Sequence, residues 1–403
     1  MKKICLFFLV MFIINAAIAQ DWTTQNSGFG NGLKSVCFTD SYTGYAVGDY
    51  GLILKTTNGG DQWILQHQDS SFSLNSVFFP DKNNGYAVGG GPAGPVILKT
   101  SNGGTLWSPQ APAGTNFLNS VFFTDVNTGY IAGEYGTILK TTDGGNLWAI
   151  QTYGIYPSLY SVVFTGAITG YAAGADGIIL KTTDAGVNWG IQFNSGTGGY
   201  LFSVCFPDTE TGYAVGYDIN PSYGRIYKTT NGGADWAVQP SGTSNSLYSV
   251  CFTDSNTGYA VGQDDIIIKT TTGGTKWINQ TSGPSILLHS VYFPAPDTGY
   301  AVGDNGTILK TINGGGVGLA EKHCNSTLFK TYPNPARDQL TLECQTVTGS
   351  TLLSISDIRG QVMKQCRITE HMTPVDLRAM PKGVYFIRVK NENRVETGKI
   401  LVE

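Results

Sequence analysis

The sequence predicts an all-β protein: a seven-bladed β-propeller closed by an N-terminal strand, plus a small C-terminal β-sandwich. Three observations carry this. A unit of about 41 residues recurs seven times along the 403-residue chain. Each unit holds four short apolar segments, and four strands in a repeat of roughly 40 residues is the signature of a propeller blade. Composition agrees: 53 glycines, 12% aromatic residues and only 13% charged residues suit many short strands joined by tight turns.

Residues 1–19 read as a signal peptide. Lys2 and Lys3 precede an apolar stretch from Ile4 to Ile14, and Ala17-Ile18-Ala19 supplies a small-x-small cleavage site before Gln20. The stretch is shorter than the roughly 20 residues a membrane-spanning helix needs. Cys5 lies deep inside it and not at the cleavage site, which argues against a lipid anchor. No later segment is apolar enough to cross a membrane.

The repeats occupy residues 20–316. Ser-Val-x-Phe recurs from Ser35, Ser76, Ser120, Ser161, Ser203, Ser249 and Ser290. Nine residues after each serine begins a Gly-Tyr-Ala-Val-Gly-like strand, at Gly44, Gly85, Gly129, Gly170, Gly212, Gly258 and Gly299. An apolar run ending in Lys-Thr follows, with lysines at Lys55, Lys99, Lys140, Lys181, Lys228, Lys269 and Lys310. Eight residues beyond the lysine, Trp-x-x-Gln opens a fourth segment at Trp63, Trp107, Trp148, Trp189, Trp236 and Trp277. The seventh unit lacks that segment, since position 318 is Gly318. An orphan Trp22-Thr23-Thr24-Gln25 stands at the other end of the chain. The expectation is that this strand completes the last blade and leaves no open sheet edge.

The turn before each tryptophan reads Ser/Thr-x-Asp/Asn-x-Gly-x-x-Trp, as in Thr56 to Trp63. The Asn or Asp side chain is suited to bond nearby backbone amides, and glycine supplies positive φ. This pattern resembles the Asp-box (BNR) repeat. The whole unit is similar to the propellers of photosystem II assembly factors, across roughly residues 21–315. The resemblance implies a fold. Asp-boxes are turn structures, so it implies no active site.

Residues 317–328 read as a linker. From Phe329 the composition shifts, and arginine appears six times against once in the repeats. Tyr332-Pro333-Asn334-Pro335-Ala336 leads into alternating strands at Gln339–Glu343 and Leu352–Ile358. Asp357-x-x-Gly360 makes a turn, Met380-Pro381-x-Gly383-Val384-Tyr385 opens another strand, and the chain ends Lys399-Ile400-Leu401-Val402-Glu403. Residues 329–403 resemble the type A C-terminal sorting domain of the type IX secretion system. That resemblance implies type IX secretion machinery as a partner, and a product secreted from, or held on the outer surface of, a diderm bacterium.

Charge is divided unevenly. From Gln20 to Ala320 eleven basic residues face twenty acidic ones, a net of −9, while the segment from Glu321 carries +3. An acidic main domain is repelled by phosphate backbones, so nucleic acid is not an expected partner. Cys37, Cys205 and Cys251 share one repeat position with Phe78, Phe122, Val163 and Tyr292, which marks a packing site. Cys324, Cys344 and Cys366 lie in or near the tail, where one pair has the option of bridging.

Catalytic material is sparse. Sialidases with Asp-boxes need several arginines, and the repeats hold one, Arg225. Asp-box xyloglucan hydrolases place two aspartates across a cleft between two propellers, and this chain has one. His67 and His289 are the only histidines of the repeats and read as single, solvent-facing side chains. No metal or cofactor is expected. The Lys-Thr lysines read as solubilising groups that pair with acids. Asp49, Glu134, Asp176, Asp218, Asp264 and Asp304 follow the second strand and read first as turn residues; as a second option their ring holds a cation or a basic partner.

Length variation locates the candidate binding face. The gap between first and second strands is fixed, as is that from lysine to tryptophan, while the second-to-third hairpin gains three residues at 90–95 and five at Tyr217–Gly224. Loops that vary over a fixed scaffold carry specificity. Tyr217, Asp218, Tyr223 and Arg225 are the candidate binding residues, because aromatics and arginine are enriched in contact sites. The expected function is non-catalytic binding of a surface protein or glycan. The alternative is a glycoside hydrolase using propeller-face aspartates.

Overall fold

A computed structural model describes residues 21–112, 114, 116–152, 156–219, 222–280, 286–315, 329–344, 347, 351–357, 361–390 and 395–403. The expected signal peptide, the linker, Gly318, Cys324 and Gly360 lie outside the described residues. The chain divides into two compact units, residues 1–318 and 319–403.

The first unit contains seven four-stranded antiparallel sheets. In the first, Leu33–Phe38, Gly44–Gly48, Ile53–Thr56 and Ile64–His67 lie side by side in chain order. The second strand is buried along its whole length, because neighbouring sheets cover both its faces; an uninterrupted small-and-apolar run is what such a strand requires. Its two glycines are fixed by close approach. A Cβ on Gly44 would meet the Phe38 ring at 2.5 Å, and one on Gly48 would collide with the Gly32 carbonyl oxygen.

Packing between sheets repeats one aromatic triad. Tyr45 of the first repeat unit stacks on Phe79 of the second repeat unit at 3.9 Å, and Trp107 meets Phe79 edge-on at 5.8 Å. Tyr300 of the seventh unit stacks in the same way on Phe38 of the first, at 4.1 Å, with Trp63 edge-on to Phe38 at 6.1 Å. Such pairs add about 0.5–1.5 kcal/mol each beyond area burial. Two hydrogen-bond series follow the same cycle. Each Ser-Val-x-Phe serine accepts the valine N–H of the next unit, from Ser35 and Val77 round to Ser290 and Val36. Each second-strand tyrosine donates to a carbonyl in the next unit's Asp-box turn, from Tyr45 and Gly103 round to Tyr300 and Gly59.

The seventh sheet takes its outer strand from the start of the chain. Thr23–Gln25 pairs antiparallel with Ile308–Thr311, Thr23 opposite Lys310 and Gln25 opposite Ile308. Trp22 is fully buried and stands edge-on to Phe293 at 5.8 Å, the place each other unit fills with its own tryptophan.

In the first Asp-box turn Thr56 Oγ1 accepts the Gly60 N–H and donates to Asn58 Oδ1, which itself accepts the Gln62 N–H. The Lys-Thr lysines behave differently from the expectation of acid pairing. Each ammonium sits over the tyrosine ring of its own unit at 5.4–5.9 Å. Lys55, Lys140, Lys181, Lys228 and Lys269 donate to the carbonyl that the tyrosine also reaches. Lys310 pairs with an acid, Asp61, at 3.4 Å. These five lysines are therefore latches between units, drawn in because a carbonyl and a ring face converge on the ammonium.

The second unit packs a three-stranded sheet, with strands Phe329–Tyr332, Gln339–Cys344 and Met372–Asp376, over one core with a four-stranded sheet. The latter orders Val362–Arg367, Leu352–Ser356, Gly383–Lys390 and Val395–Val402. Leu342, Leu353, Ile387 and Ile400 are fully buried between them. Cys344 is buried in this core, and Cys366 is a half-buried free thiol.

Candidate functional site

The first unit has two chemically distinct faces. On one, the Asp-box turn bonds the first-to-second-strand hairpin, as Gly59 N–H does to the Tyr42 carbonyl. On the other, connectors bond the second-to-third-strand hairpins: Asp69 N–H donates to the Tyr50 carbonyl and Asp49 N–H to the Gly32 carbonyl. The length-variable segments belong to this second face.

Its longest hairpin, in the fifth unit, joins Gly212–Ile219 to Ser222–Thr229. All four candidate binding residues lie on it, and the structure gives them unequal roles. Asp218 is buried and turned into the sheet, not out to solvent as a turn residue would be. It accepts Arg225 Nε–H at 2.6 Å, Thr197 Oγ1–H at 2.6 Å and Tyr227 Oη–H at 3.1 Å. The Tyr227 phenol is pushed up to about 12 by burial and then by the Asp218 charge. The Arg225 guanidinium lies over the Tyr223 ring, 5.5 Å from its centroid. Tyr223 is exposed, and Tyr217 stands opposite Tyr200 on the first strand. Asp218 and Arg225 thus stiffen the hairpin, while Tyr223 faces outward.

Sequence reasoning missed a second group on this face. Every first strand carries a β-bulge at the residue between its leucine and its serine, as between Leu33 and Ser35. Bulges re-aim side chains. The bulged residues are Lys34, Asn75, Asn119, Tyr160, Phe202, Tyr248 and His289, and five neighbouring pairs of them meet from unit to unit. Tyr160 and Phe202 rings are 5.4 Å apart, Phe202 and Tyr248 4.9 Å, Tyr248 and His289 6.0 Å. Lys34 Nζ lies 3.2 Å from His289 Nε2, and Asn75 Nδ2 lies 3.4 Å from Asn119 Oδ1. Tyr200 continues the aromatic arc toward the hairpin, parallel to Phe202 at 5.9 Å. The available signal was one variable position inside an otherwise constant Leu-x-Ser-Val strand.

Where the seventh unit meets the first, the arc ends in charge. Lys34 Nζ stands 3.9 Å from Asp49 Oδ2 and 3.7 Å from Asp304 Oδ1, and His289 Nε2 lies 2.8 Å from Asp304 Oδ1. A Cβ on Gly32 would come within 2.6 Å of Asp49 Oδ2 and 3.3 Å of Asp304 Oδ1, so a larger residue here would displace the Asp49 carboxylate. His289 is no lone solvent-facing side chain. Burial lowers its pKa against the pull of Asp304, which favours the neutral ring. His67 sits elsewhere in its unit, at the end of the fourth strand, stacked at 6.1 Å on Phe72. Among the described residues no group of three His, Cys, Asp or Glu is placed to hold a metal ion.

Fold and face together define a propeller of Asp-box units followed by a separately folded C-terminal β-domain. Residues 14–113 and 109–247 match the family described as Photosynthesis system II assembly factor YCF48, and the chain belongs to that family. Residues 330–403 match the Secretion system C-terminal sorting domain, which marks the protein for type IX secretion to the cell surface or beyond. No helix among the described residues is long and apolar enough to cross a membrane. No curated protein matches the chain. Among solved structures it is similar to YCF48 bound to a D1 peptide, at 18% identity and TM-score 0.62, covering 73% of this chain and 97% of that one. It is similar also to YCF48 from Cyanidioschyzon merolae, at 19% identity and TM-score 0.59, covering 72% and 98%. A GH74 enzyme from Niastella koreensis aligns at 14% identity and TM-score 0.61, covering 94% and 74%. At such identities these likenesses show the fold alone.

Proposed function

We propose that the protein is a secreted or surface-held propeller that binds a protein or glycan without catalysis, through the face of connectors and second-to-third-strand hairpins. The observation that carries this reading is the fifth-unit hairpin. Its Asp218–Arg225 pair is satisfied internally, so the hairpin is held rigid while Tyr223 and Ile219 remain exposed. A preorganised loop with outward aromatic and aliphatic groups loses little entropy on binding. A relative's structure, YCF48 bound to a D1 peptide, favours a protein ligand over a glycan.

The hydrolase reading draws on aspartates, and many of these have structural employment. Asp125, Asp208 and Asp254 each accept two backbone N–H groups in first-to-second-strand hairpins, which hold their carboxyls below the ordinary range. A general acid needs the opposite shift. The test is capture from a glycan array and from surface-protein extracts, comparing the native chain with one whose residues 217–224 are replaced by an Asp-Gly turn. Loss of capture with the replacement supports the face. Unchanged capture moves the site elsewhere, and release of reducing ends from xyloglucan establishes the hydrolase.

A further inference from the structure

We infer that the axial mouth of this face receives a cationic side chain, arginine or lysine, from an extended basic peptide, held by the Tyr160–Phe202–Tyr248 arc and the carboxylates of Glu134 and Asp176. This rests on the binding reading above and names its ligand class. Three observations support it.

The rings of Tyr160, Phe202 and Tyr248 are tilted by 47° and 37° from one to the next, so within the arc they do not stack face to face. Each is only partly buried. Aromatic faces left partly open to solvent attract a cation through the ring quadrupole.

Charge complementarity sets the sign of the occupant. This face has two basic side chains near the arc, and both are neutralised in place: Arg225 on Asp218, and Lys34 between Asp49 and Asp304. Glu134 and Asp176 have no ion-pair or side-chain hydrogen-bond partner among the described residues. Both sit on hairpins that meet the arc's strands: Tyr135, next to Glu134, donates its N–H to Ser158 Oγ, and Ala175, next to Asp176, pairs with Tyr200; both carboxylates also help raise the Tyr160 phenol, after burial and Tyr200. The repeats as a whole carry a net −9, so a basic ligand is also drawn in from a distance.

Position within the arc is set by Lys34. Its ammonium already occupies the Asp49 and Asp304 carboxylates at the far end, beside His289, so a second cation gains less there. The ligand's charge therefore lies toward Tyr160, and its backbone leads outward past Tyr200 toward the exposed Tyr223.

The test titrates the full secreted chain with a labelled peptide of alternating glycine and arginine. A glycine–citrulline peptide keeps the shape and hydrogen bonds but loses the charge. The arginine peptide should bind with an affinity that falls as salt rises, and the citrulline peptide at least about ten-fold more weakly. Phe202→Leu, which keeps bulk without a ring, and the double change Glu134→Gln with Asp176→Asn should each cost about ten-fold. Glu210→Gln, on the opposite face, should bind as the native chain does. Equal binding of both peptides, or native affinity in Phe202→Leu, overturns the inference and leaves the binding reading standing. Displacement of the peptide by a neutral cello-oligosaccharide also overturns it, in favour of a glycan occupant. Cleavage of that oligosaccharide overturns the binding reading itself.

Discussion

Tyr300 Oη donates to the Gly59 carbonyl at 2.7 Å, linking the seventh unit to the first. In five other units a lysine shares the accepting carbonyl, but here Lys310 turns to Asp61 instead. Tyr300→Phe therefore strips a buried carbonyl of its donor, whereas Tyr45→Phe leaves Gly103 with Lys55. The expected losses are about 1–3 kcal/mol for Tyr300→Phe and under about 1 kcal/mol for Tyr45→Phe. Urea unfolding of the two variants checks the difference, and equal losses would refute the latch role of the lysines.

Trp22 occupies the same packing position as the internal tryptophans. Trp22→Ala should cost about as much as Trp148→Ala, on the order of 3–5 kcal/mol. Differential scanning calorimetry of both variants measures this. A Trp22→Ala midpoint at the native value would mean that the N-terminal strand contributes nothing to the seventh sheet.

Acid should act in two stages. His289 has a folded pKa below its ordinary 6.5, so the unfolded chain takes up the proton first and stability falls as pH drops below 6.5. The turn aspartates have the carboxylate sign. Asp184 is held at about 2 against an ordinary 3.8, chiefly by the backbone N–H and side chain of Asn188, so its contribution is present above 3.8 and lost as pH falls toward 2. His289→Gln should weaken the upper stage, which His67 shares, and Asp184→Asn the lower, which other turn aspartates share, read from denaturant midpoints across pH 2–8.

Burial pushes the Cys37 and Cys251 thiols up to about 12 and Cys205 to about 11. Iodoacetamide at pH about 8 should leave all three unmodified in the folded protein and modify them after denaturation, because the thiolate is the reactive form. Peptide mass spectrometry resolves each site, and alkylation of Cys37 in the native state would contradict its packing role.

The repeat was legible because packing dictates it in every unit: Phe38 forbids a side chain on Gly44, and the Gly32 carbonyl forbids one on Gly48. The lysine latches were not legible, since the carbonyl bound by Lys55 belongs to Gly103 in the next unit. Asp218 misled for a local reason. Its hairpin is longer, so it remains within a strand and meets Arg225 and Tyr227 where shorter units place an exposed turn residue. The axial residues escaped notice because their identity changes from unit to unit, and a search for what repeats erases what varies.

The strand Thr23–Gln25 is synthesised before all the others of its unit, yet it bonds to a segment 287 residues later. A nascent chain must therefore emerge almost to the end of its last repeat before that sheet gains its outer member. Pairing over such a separation is slow to form, and until it forms an unfilled edge invites other chains. A holding chaperone, or delay of collapse during export, has its natural point of action in that interval.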